Sequence, residues 1–221
     1  MPAQTSYRFA RLKLYVAACV LGFSSFIAGG FSPAVNAITL PQLQQQLSTQ
    51  TLVRGDFEQV RKMEMFSAPL KSEGQFLLAQ EQGLHWQQTQ PFPVSLILTQ
   101  NKLSQQFGDS KPQVVAAEQN PMVFYFSHVF LSLFKGDTSQ LNEQFDIKLL
   151  DSGSEDKWLL VLTPKSAPLN AVFKTIRLTG DRFIEQLTLT EVRGDVTDIT
   201  FSNQRTAPTE LSENEQRAFK F

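Results

Sequence analysis

Few side chains in this sequence have the chemistry for catalysis or metal binding. The 221 residues include two histidines and one cysteine, too few for the clusters that bind zinc or form most nucleophilic sites. His85 stands beside Trp86 in a predicted strand, His128 lies in an aromatic segment, and neither accompanies a nucleophile motif. The sequence has no Gly-x-Ser-x-Gly elbow, Gly-x-Gly-x-x-Gly turn, Walker loop or His-Glu-x-x-His pair. We therefore expect no enzyme, no metal centre and no cofactor.

The chemistry that the composition does offer is the burial of hydrocarbon. The chain is 42% hydrophobic and contains 19 phenylalanines, whereas its net charge is only −1. A near-neutral balance gives no basic face for nucleic acid. An apolar concavity would bind an acyl chain with about 0.8 kcal/mol for each buried CH₂ group. The alternative, that the aromatic residues form an ordinary filled core, is equally compatible with the composition alone.

Residues 1–37 have the pattern of a secretory signal. Three basic residues precede an apolar run over residues 14–27, and Val35-Asn36-Ala37 places small residues where a signal peptidase cleaves. The run has 14 residues, whereas a membrane-spanning helix needs about 20. We expect cleavage after Ala37 and a mature, exported domain over residues 38–221. That domain would have no cysteine and would be held by its core alone.

A rival interpretation concerns the single cysteine. Val16-Ala17-Ala18-Cys19 loosely matches a lipoprotein box, which would make Cys19 a lipidated N-terminus. The apolar run before it is only five residues, shorter than the roughly 7–15 of a signal core. We therefore favour Cys19 as an ordinary residue of the signal.

The mature chain alternates between helical and period-two patterns. Leu40, Leu43 and Leu47 predict a short helix, and Val123 to Phe134 predict a second one with a very wide apolar face. A third short helix is predicted at 139–143. Period-two alternation with Gly, Asn and Asp turns predicts the strands. We expect extended structure from 57 to 65 and strands at 75–79, 84–89, 94–99, 102–107, 145–150, 157–163, 172–179, 183–192 and 196–203.

Nine or ten strands in regular succession predict one domain built as an antiparallel meander that curls toward a barrel. Arg54-Gly55-Asp56 and Arg193-Gly194-Asp195 are both interpreted as turns. The candidate lipid-binding residues are Phe57, Phe76, Leu78, Leu84, Trp86, Leu96, Leu98, Phe126 and Phe130. Shared parity along the first hairpin favours Phe76, Leu78, Leu84 and Trp86, and the wide apolar face of the second helix favours its two phenylalanines.

Short motifs that recur in order along residues 40–221 resemble the periplasmic outer-membrane lipoprotein carrier family, the LolA-like proteins. Each motif is weak alone, but their order and spacing are specific. The motifs are Phe57-Glu58-Gln59, Gly74-Gln75-Phe76-Leu77, Leu84-His85-Trp86, Thr89-Gln90-Pro91, Leu160–Lys165, Gln186-Leu187-Thr188-Leu189 and Asp198-Ile199-Thr200-Phe201.

The resemblance implies a mainly β (α+β) fold, an incomplete antiparallel β-barrel with short helices forming a lid over a hydrophobic cavity. It implies a monomeric periplasmic carrier that shuttles acylated lipoproteins from the inner to the outer membrane. Its partners would be the acylated lipoprotein or lipid cargo, an inner-membrane lipoprotein-releasing transporter and an outer-membrane receptor. No bond would be made or broken.

One position departs from the family pattern. The family has an Arg-Pro pair shortly before the strand tryptophan, and that arginine latches the lid. This chain has Gln80-Glu81 there, and Leu84 replaces an aromatic residue. Gln80 can hydrogen-bond but is uncharged, so we expect it to be a weaker lid latch. The departure favours a specialised paralogue whose cargo is another lipid or glycolipid.

Two other functions remain open at this point. One is an outer-membrane-anchored receptor of the same fold, lipidated at Cys19. The other is an envelope assembly module whose core is filled and which carries nothing.

Overall fold

One antiparallel sheet of eleven strands makes up most of the described chain. The computed structural model describes residues 38–119, 128, 131–132, 134–135, 137–154 and 157–221, without the side chains of 138–140. The strands are β1 (Leu52–Lys62), β2 (Leu70–Ala79), β3 (Gly83–Gln90), β4 (Val94–Leu98), β5 (Lys102–Phe107), β6 (Gln113–Ala116), β7 (Phe145–Asp151), β8 (Trp158–Pro164), β9 (Phe173–Gly180), β10 (Ile184–Glu191) and β11 (Val196–Arg205).

The strands form two meanders that join at their first and last members. The order is β6-β5-β4-β3-β2-β1-β11-β10-β9-β8-β7, so β1 pairs with β11 and the edges are β6 and β7. Because β6 and β7 do not pair, the sheet is not closed. This confirms the expectation of a mainly β fold and an incomplete antiparallel barrel.

Four short helices with defined bounds flank the sheet in the described part of the chain. They are α1 (Leu40–Ser48), α2 (Thr138–Gln144), α3 (Leu169–Val172) and α4 (Glu213–Ala218). Capping boxes begin α1, from Thr39 to Gln42, and α4, from Ser212 to Glu215, and each satisfies backbone N–H groups that a helix start leaves unpaired. Among the described residues, none of the helices has the length and hydropathy needed to cross a bilayer.

Strand alternation gives the sheet two apolar faces of unequal size. The inner face carries Phe57, Phe76 and Phe201 and is covered by Leu43 and Leu47 of α1. The outer face has a small cluster of Leu52, Leu77 and Ala79, with Leu211 and Phe219 of the C-terminal segment packed against it. Along β2 the side chains alternate between the two faces, with Phe76 and Leu78 on the inner face and Leu77 and Ala79 on the outer face.

The first strand begins earlier than the sequence predicts. Arg54-Gly55-Asp56 lies inside β1, with a shift in its register against β11, so its prediction as a turn is wrong. Position 55 of this strand suits a glycine, because a Cβ there would lie 2.7 Å from the ring of Phe76. The second tripeptide does form the turn between β10 and β11, with Gly194 at φ +94°.

The remaining boundaries agree within a few residues, and three elements were missed. These are β6, α3 and α4. The signal segment 1–37 with Cys19, and most of the predicted helix 121–134 with Phe126 and Phe130, lie outside the described residues. Of that helix, residues 128, 131–132 and 134–135 are described and helical.

Candidate functional site

The sheet brings the predicted binding residues of its strands into one cluster on the inner face. Phe57, Phe76, Leu78, Leu84 and Leu98 are buried there, and Trp86 and Leu96 pack against them half-buried. Antiparallel pairing explains the match, because it places Leu84 opposite Leu78 and Leu98, and Trp86 opposite Phe76 and Leu96.

Aromatic rings form the centre of this cluster. Phe57 stacks on Trp86 with ring centroids 3.5 Å apart. Phe201 contacts Phe76 and Phe134 edge-on at centroid distances of 5.1 and 5.8 Å. Such pairs add to the gain from burying the rings. Phe201 and Phe134 were not among the predicted lining residues. The alternation of Ile199 and Phe201 with polar neighbours was the available signal for Phe201.

Helical residues cover the inner face. Leu43 and Leu47 of α1, Leu131, Phe134, Leu141 of α2 and Leu169 of α3 all belong to the inner cluster. A cleft of about 20 Å³ remains at the seam where Leu47 and Phe134 meet the sheet. That volume is roughly one water molecule. In the described part of the chain, the inner face is therefore apolar and is covered by helical residues.

Two larger clefts lie on the other side of the sheet, against the C-terminal segment. One of about 270 Å³ is lined by Arg54, His85 and Glu215 among others. The other, of about 720 Å³, is lined by Gln80 and Phe219 among others. Their linings mix charged, polar and apolar groups, so neither has the uniformly apolar wall that an acyl chain requires.

Two glutamines attach α1 to the turns at one end of the sheet. Gln80, in the turn between β2 and β3, donates from Nε2 to the Ser48 carbonyl at the end of α1, at 3.0 Å. Gln46 of α1 donates from Nε2 to the Asp181 carbonyl between β9 and β10, at 2.6 Å. The predicted latch residue thus contacts a covering helix, and Gln46 makes the second attachment. Both bonds are uncharged.

A charged attachment fixes the C-terminal segment to the outer face. Arg54 is 7% exposed and forms a bidentate pair with Glu215, at 2.7 and 2.8 Å. It also donates to the carbonyls of Pro208 and Glu210. The hydrogen bond from Arg54 lowers the pKa of Glu215 to about 2, with a further contribution from the Ser212 backbone. The sequence signal was the Ser212-x-x-Glu215 capping box, which predicts a helix start there.

The two histidines have structural contacts. His85 lies on the outer face with Nε2 3.1 Å from the Ser95 hydroxyl, and burial lowers its pKa. His128 is exposed, with Nε2 2.7 Å from the Gln100 carbonyl. In the described part of the chain, no three His, Cys, Asp or Glu side chains come together as a metal site would require.

Comparison with known proteins gives one strong match at the level of sequence. Residues 48–221 match the family described as outer membrane lipoprotein carrier protein LolA. No curated protein matches the sequence.

Several solved structures are similar to this chain. A LolA superfamily protein from Nitrosomonas europaea is 12% identical, with 80% of this chain and 97% of that chain covered and a TM-score of 0.44. A putative outer membrane lipoprotein-sorting protein domain from Vibrio parahaemolyticus is 12% identical, with coverages of 82% and 97% and a TM-score of 0.47. A chain of the MucA/MucB complex of Pseudomonas aeruginosa is 16% identical, with coverages of 79% and 59% and a TM-score of 0.38.

Proposed function

Because the chain belongs to the outer membrane lipoprotein carrier protein LolA family, we propose that it carries acylated lipoproteins, or a related lipid, on the inner face of its sheet. Cargo would be taken up at the inner membrane and released at the outer membrane. The carrier acts in the periplasm after its signal is cleaved behind Ala37. Its partners are a lipoprotein-releasing transporter and an outer-membrane receptor.

The observation that carries this proposal is the pairing of an apolar inner face with a cover held at its end by neutral hydrogen bonds. Acyl chains would replace the side chains of Leu43, Leu47 and Phe134 against Phe57, Trp86 and Phe201. Because the acyl chains replace one set of apolar contacts with another, the free energies of the loaded and the empty carrier stay close to each other. Each buried CH₂ contributes about 0.8 kcal/mol, which offsets the loss of the helix contacts.

Gln80 serves as the latch in this mechanism, together with Gln46. A neutral hydrogen bond contributes about 1 kcal/mol, whereas one to a charged group contributes about 1.5–3 kcal/mol. The cover therefore opens at a smaller cost than it would with an arginine latch. A cargo with fewer or shorter acyl chains than a triacylated lipoprotein can then still drive opening, which fits a specialised paralogue.

The small cleft favours one competing function, an assembly module with a filled core. The cleft beside Leu47 and Phe134, of about 20 Å³, is too small for an acyl chain, so an acyl chain enters there only if α1 moves. A filled-core module would keep α1 in place and bind no lipid.

Lipid that co-purifies with the exported protein distinguishes the two functions. We expect mass spectrometry of an organic extract to find acylated molecules, and we expect Leu96→Glu to lose them. Ile97→Glu is the matched control, because Ile97 is a half-buried neighbour on the same strand and faces the other side of the sheet. Absence of acylated molecules, or equal retention in both variants, would contradict the carrier proposal. N-terminal analysis of the same sample tests cleavage after Ala37 against lipidation of Cys19.

A further inference from the structure

Large exposed apolar side chains concentrate at one end of the sheet. Register places together the ends of β1, β3, β5 and β10 and the loops that follow them, because Arg61 pairs with Leu70, Glu73 with Gln90, Val94 with Phe107, and Thr190 with Val196. Six of the eight large apolar residues that are exposed in the described chain lie at this end, which we call the loop end. They are Met65, Phe66, Leu70, Phe92, Phe107 and Val192.

Hydrogen bonds hold the loops that carry these side chains. In the β1–β2 loop, the Glu64 N–H donates to Asp195 Oδ1 at 3.2 Å and the Phe66 N–H donates to the Met63 carbonyl at 3.0 Å. The side chain of Glu64 lies against Gly194, where a Cβ would collide with it. This loop and the β10–β11 turn therefore support each other, and Met65 stays 80% exposed in a fixed loop.

A second pair of loops is connected in the same way. Gln88 donates from Nε2 to the Phe92 carbonyl at 2.9 Å, and the Gly108 N–H donates to the Pro93 carbonyl at 2.9 Å. Phe92 on the β3–β4 loop and Phe107 at the end of β5 are thus exposed on connected segments. Soluble surfaces that expose such contiguous apolar side chains usually bind something.

The shape and the charges of the loop end fit a lipid surface. The apolar side chains lie at four separate connections between strands. Together they fit a partner with a broad surface, since they do not line a groove. The β1–β2 loop and its stem carry the exposed cations Lys62 and Lys71 and the exposed carboxylates Glu64 and Glu73, and Arg193 beside them is 80% exposed along its side chain. The ion pairs of Lys62 and Arg193, at 3.8 and 3.4 Å, are exposed and weak. Such side chains extend their charged heads to lipid phosphates while apolar neighbours enter the acyl region.

We propose that the loop end docks on a phospholipid bilayer, with Met65 and Phe66 entering the boundary between headgroups and acyl chains. Lys62 and Lys71 contact the phosphates. This docking needs no cargo, and it goes beyond the carrier function because it gives the protein a direct contact with the membrane itself.

Vesicle flotation tests the proposal. The full exported chain is mixed with extruded vesicles of phosphatidylethanolamine and phosphatidylglycerol, and the bound fraction is compared with that on phosphatidylcholine alone. Met65→Ser with Phe66→Ser should lower the partition coefficient on the anionic vesicles at least tenfold. Lys62→Gln with Lys71→Gln should remove most of the preference for phosphatidylglycerol. Leu150→Ser is the matched control, since Leu150 is 47% exposed at the opposite end of the sheet, and it should change binding less than twofold.

A second readout reports on the depth of insertion. Phe66→Trp should show fluorescence quenching by brominated acyl chains above that of the unaltered chain, whereas Leu150→Trp should not. Absence of vesicle binding, equal loss in Leu150→Ser, or equal quenching at both positions would overturn the proposal. Cross-linking of position 66 to a membrane protein without any binding to vesicles would also overturn it. The Met65→Ser, Phe66→Ser variant should still take up an acylated lipopeptide in solution, so failure of docking and failure of carriage give different results.

Discussion

At the scale of single residues, Arg54 joins parts of the chain that are far apart in sequence. It is buried in β1, yet its partner Glu215 lies 161 residues away and its other acceptors are the Pro208 and Glu210 carbonyls. These four hydrogen bonds satisfy the guanidinium although it is almost fully buried. Without Glu215 its buried positive charge would have no carboxylate to balance it. The position of the C-terminal segment therefore depends on the contacts of Arg54, together with the packing of Leu211 and Phe219 on the outer face.

Glu215→Gln should lower the free energy of unfolding at pH 7 by about 2 kcal/mol, because the charge-assisted bonds become neutral ones. The folded-state pKa of Glu215 is about 2, below its ordinary 4.5. Its contribution is therefore complete above pH 4.5 and is lost as the pH falls toward 2. Urea unfolding of both proteins from pH 7 to pH 3 should show the difference shrinking below pH 4.5.

Arg217→Ala provides the control for that experiment. Arg217 contacts Glu213 at 3.8 Å on the exposed side of α4, and such a surface pair contributes about 0.5 kcal/mol or less. A pH-independent difference for Glu215→Gln, or an equal effect of Arg217→Ala, would show that the pair with Arg54 does not hold the segment.

At the scale of elements, α1 is a cover with two attachments. Leu43 and Leu47 bury against the inner face, while Gln46 and Gln80 connect the helix to turns on both halves of the sheet. A helix of nine residues has little stability by itself. Its position therefore depends on these contacts.

Gln46→Ala combined with Gln80→Ala should loosen α1 without unfolding the sheet. Two neutral hydrogen bonds contribute about 2 kcal/mol together, so amide hydrogen exchange over residues 40–48 should become at least tenfold faster. Gln45→Ala is the control, because Gln45 is an exposed residue of the same helix. If amide hydrogen exchange over residues 40–48 is unchanged in the double variant, the two glutamines do not act as a latch.

The elements that could be predicted from sequence are those whose signal is local. Alternation along β2 and β3 selected Phe76 and Leu84 as candidate lining residues, and both lie in the inner cluster because one face of each strand is buried. The start of β1 was missed because Arg54-Gly55-Asp56 has the composition of a turn, and only the distant partner Glu215 and the ring of Phe76 explain it as strand.

The part of the site that could not be predicted depends on long-range pairing. Phe201 joins the aromatic cluster through the pairing of β11 with β1, where it lies opposite Phe57. The contact from Gln46 to Asp181 spans 135 residues. Neither has a sequence pattern that points to its partner.

At the scale of the whole molecule, an open sheet holds one covered apolar face and one exposed apolar end. Among the described residues, α1 and helical residues such as Phe134 cover the inner face, and the loop end exposes Met65 and Phe66. The two regions lie on different parts of the same strands. Cargo binding and membrane docking can therefore be separated by substitution.

Binding of an acylated ligand to a chain whose cover can be locked tests the central claim most directly. Gln46→Cys with Asp181→Cys, joined by a short bismaleimide, fixes α1 to the β9–β10 turn, and Cys19→Ser removes the natural thiol. The same protein without the cross-linker is the control. We predict saturable binding of a triacylated lipopeptide to the unlocked protein, no binding of the deacylated peptide, and at least tenfold weaker binding once α1 is locked. Equal binding by the locked and unlocked forms, or none by either, would contradict the proposal that acyl chains enter the inner face beneath α1.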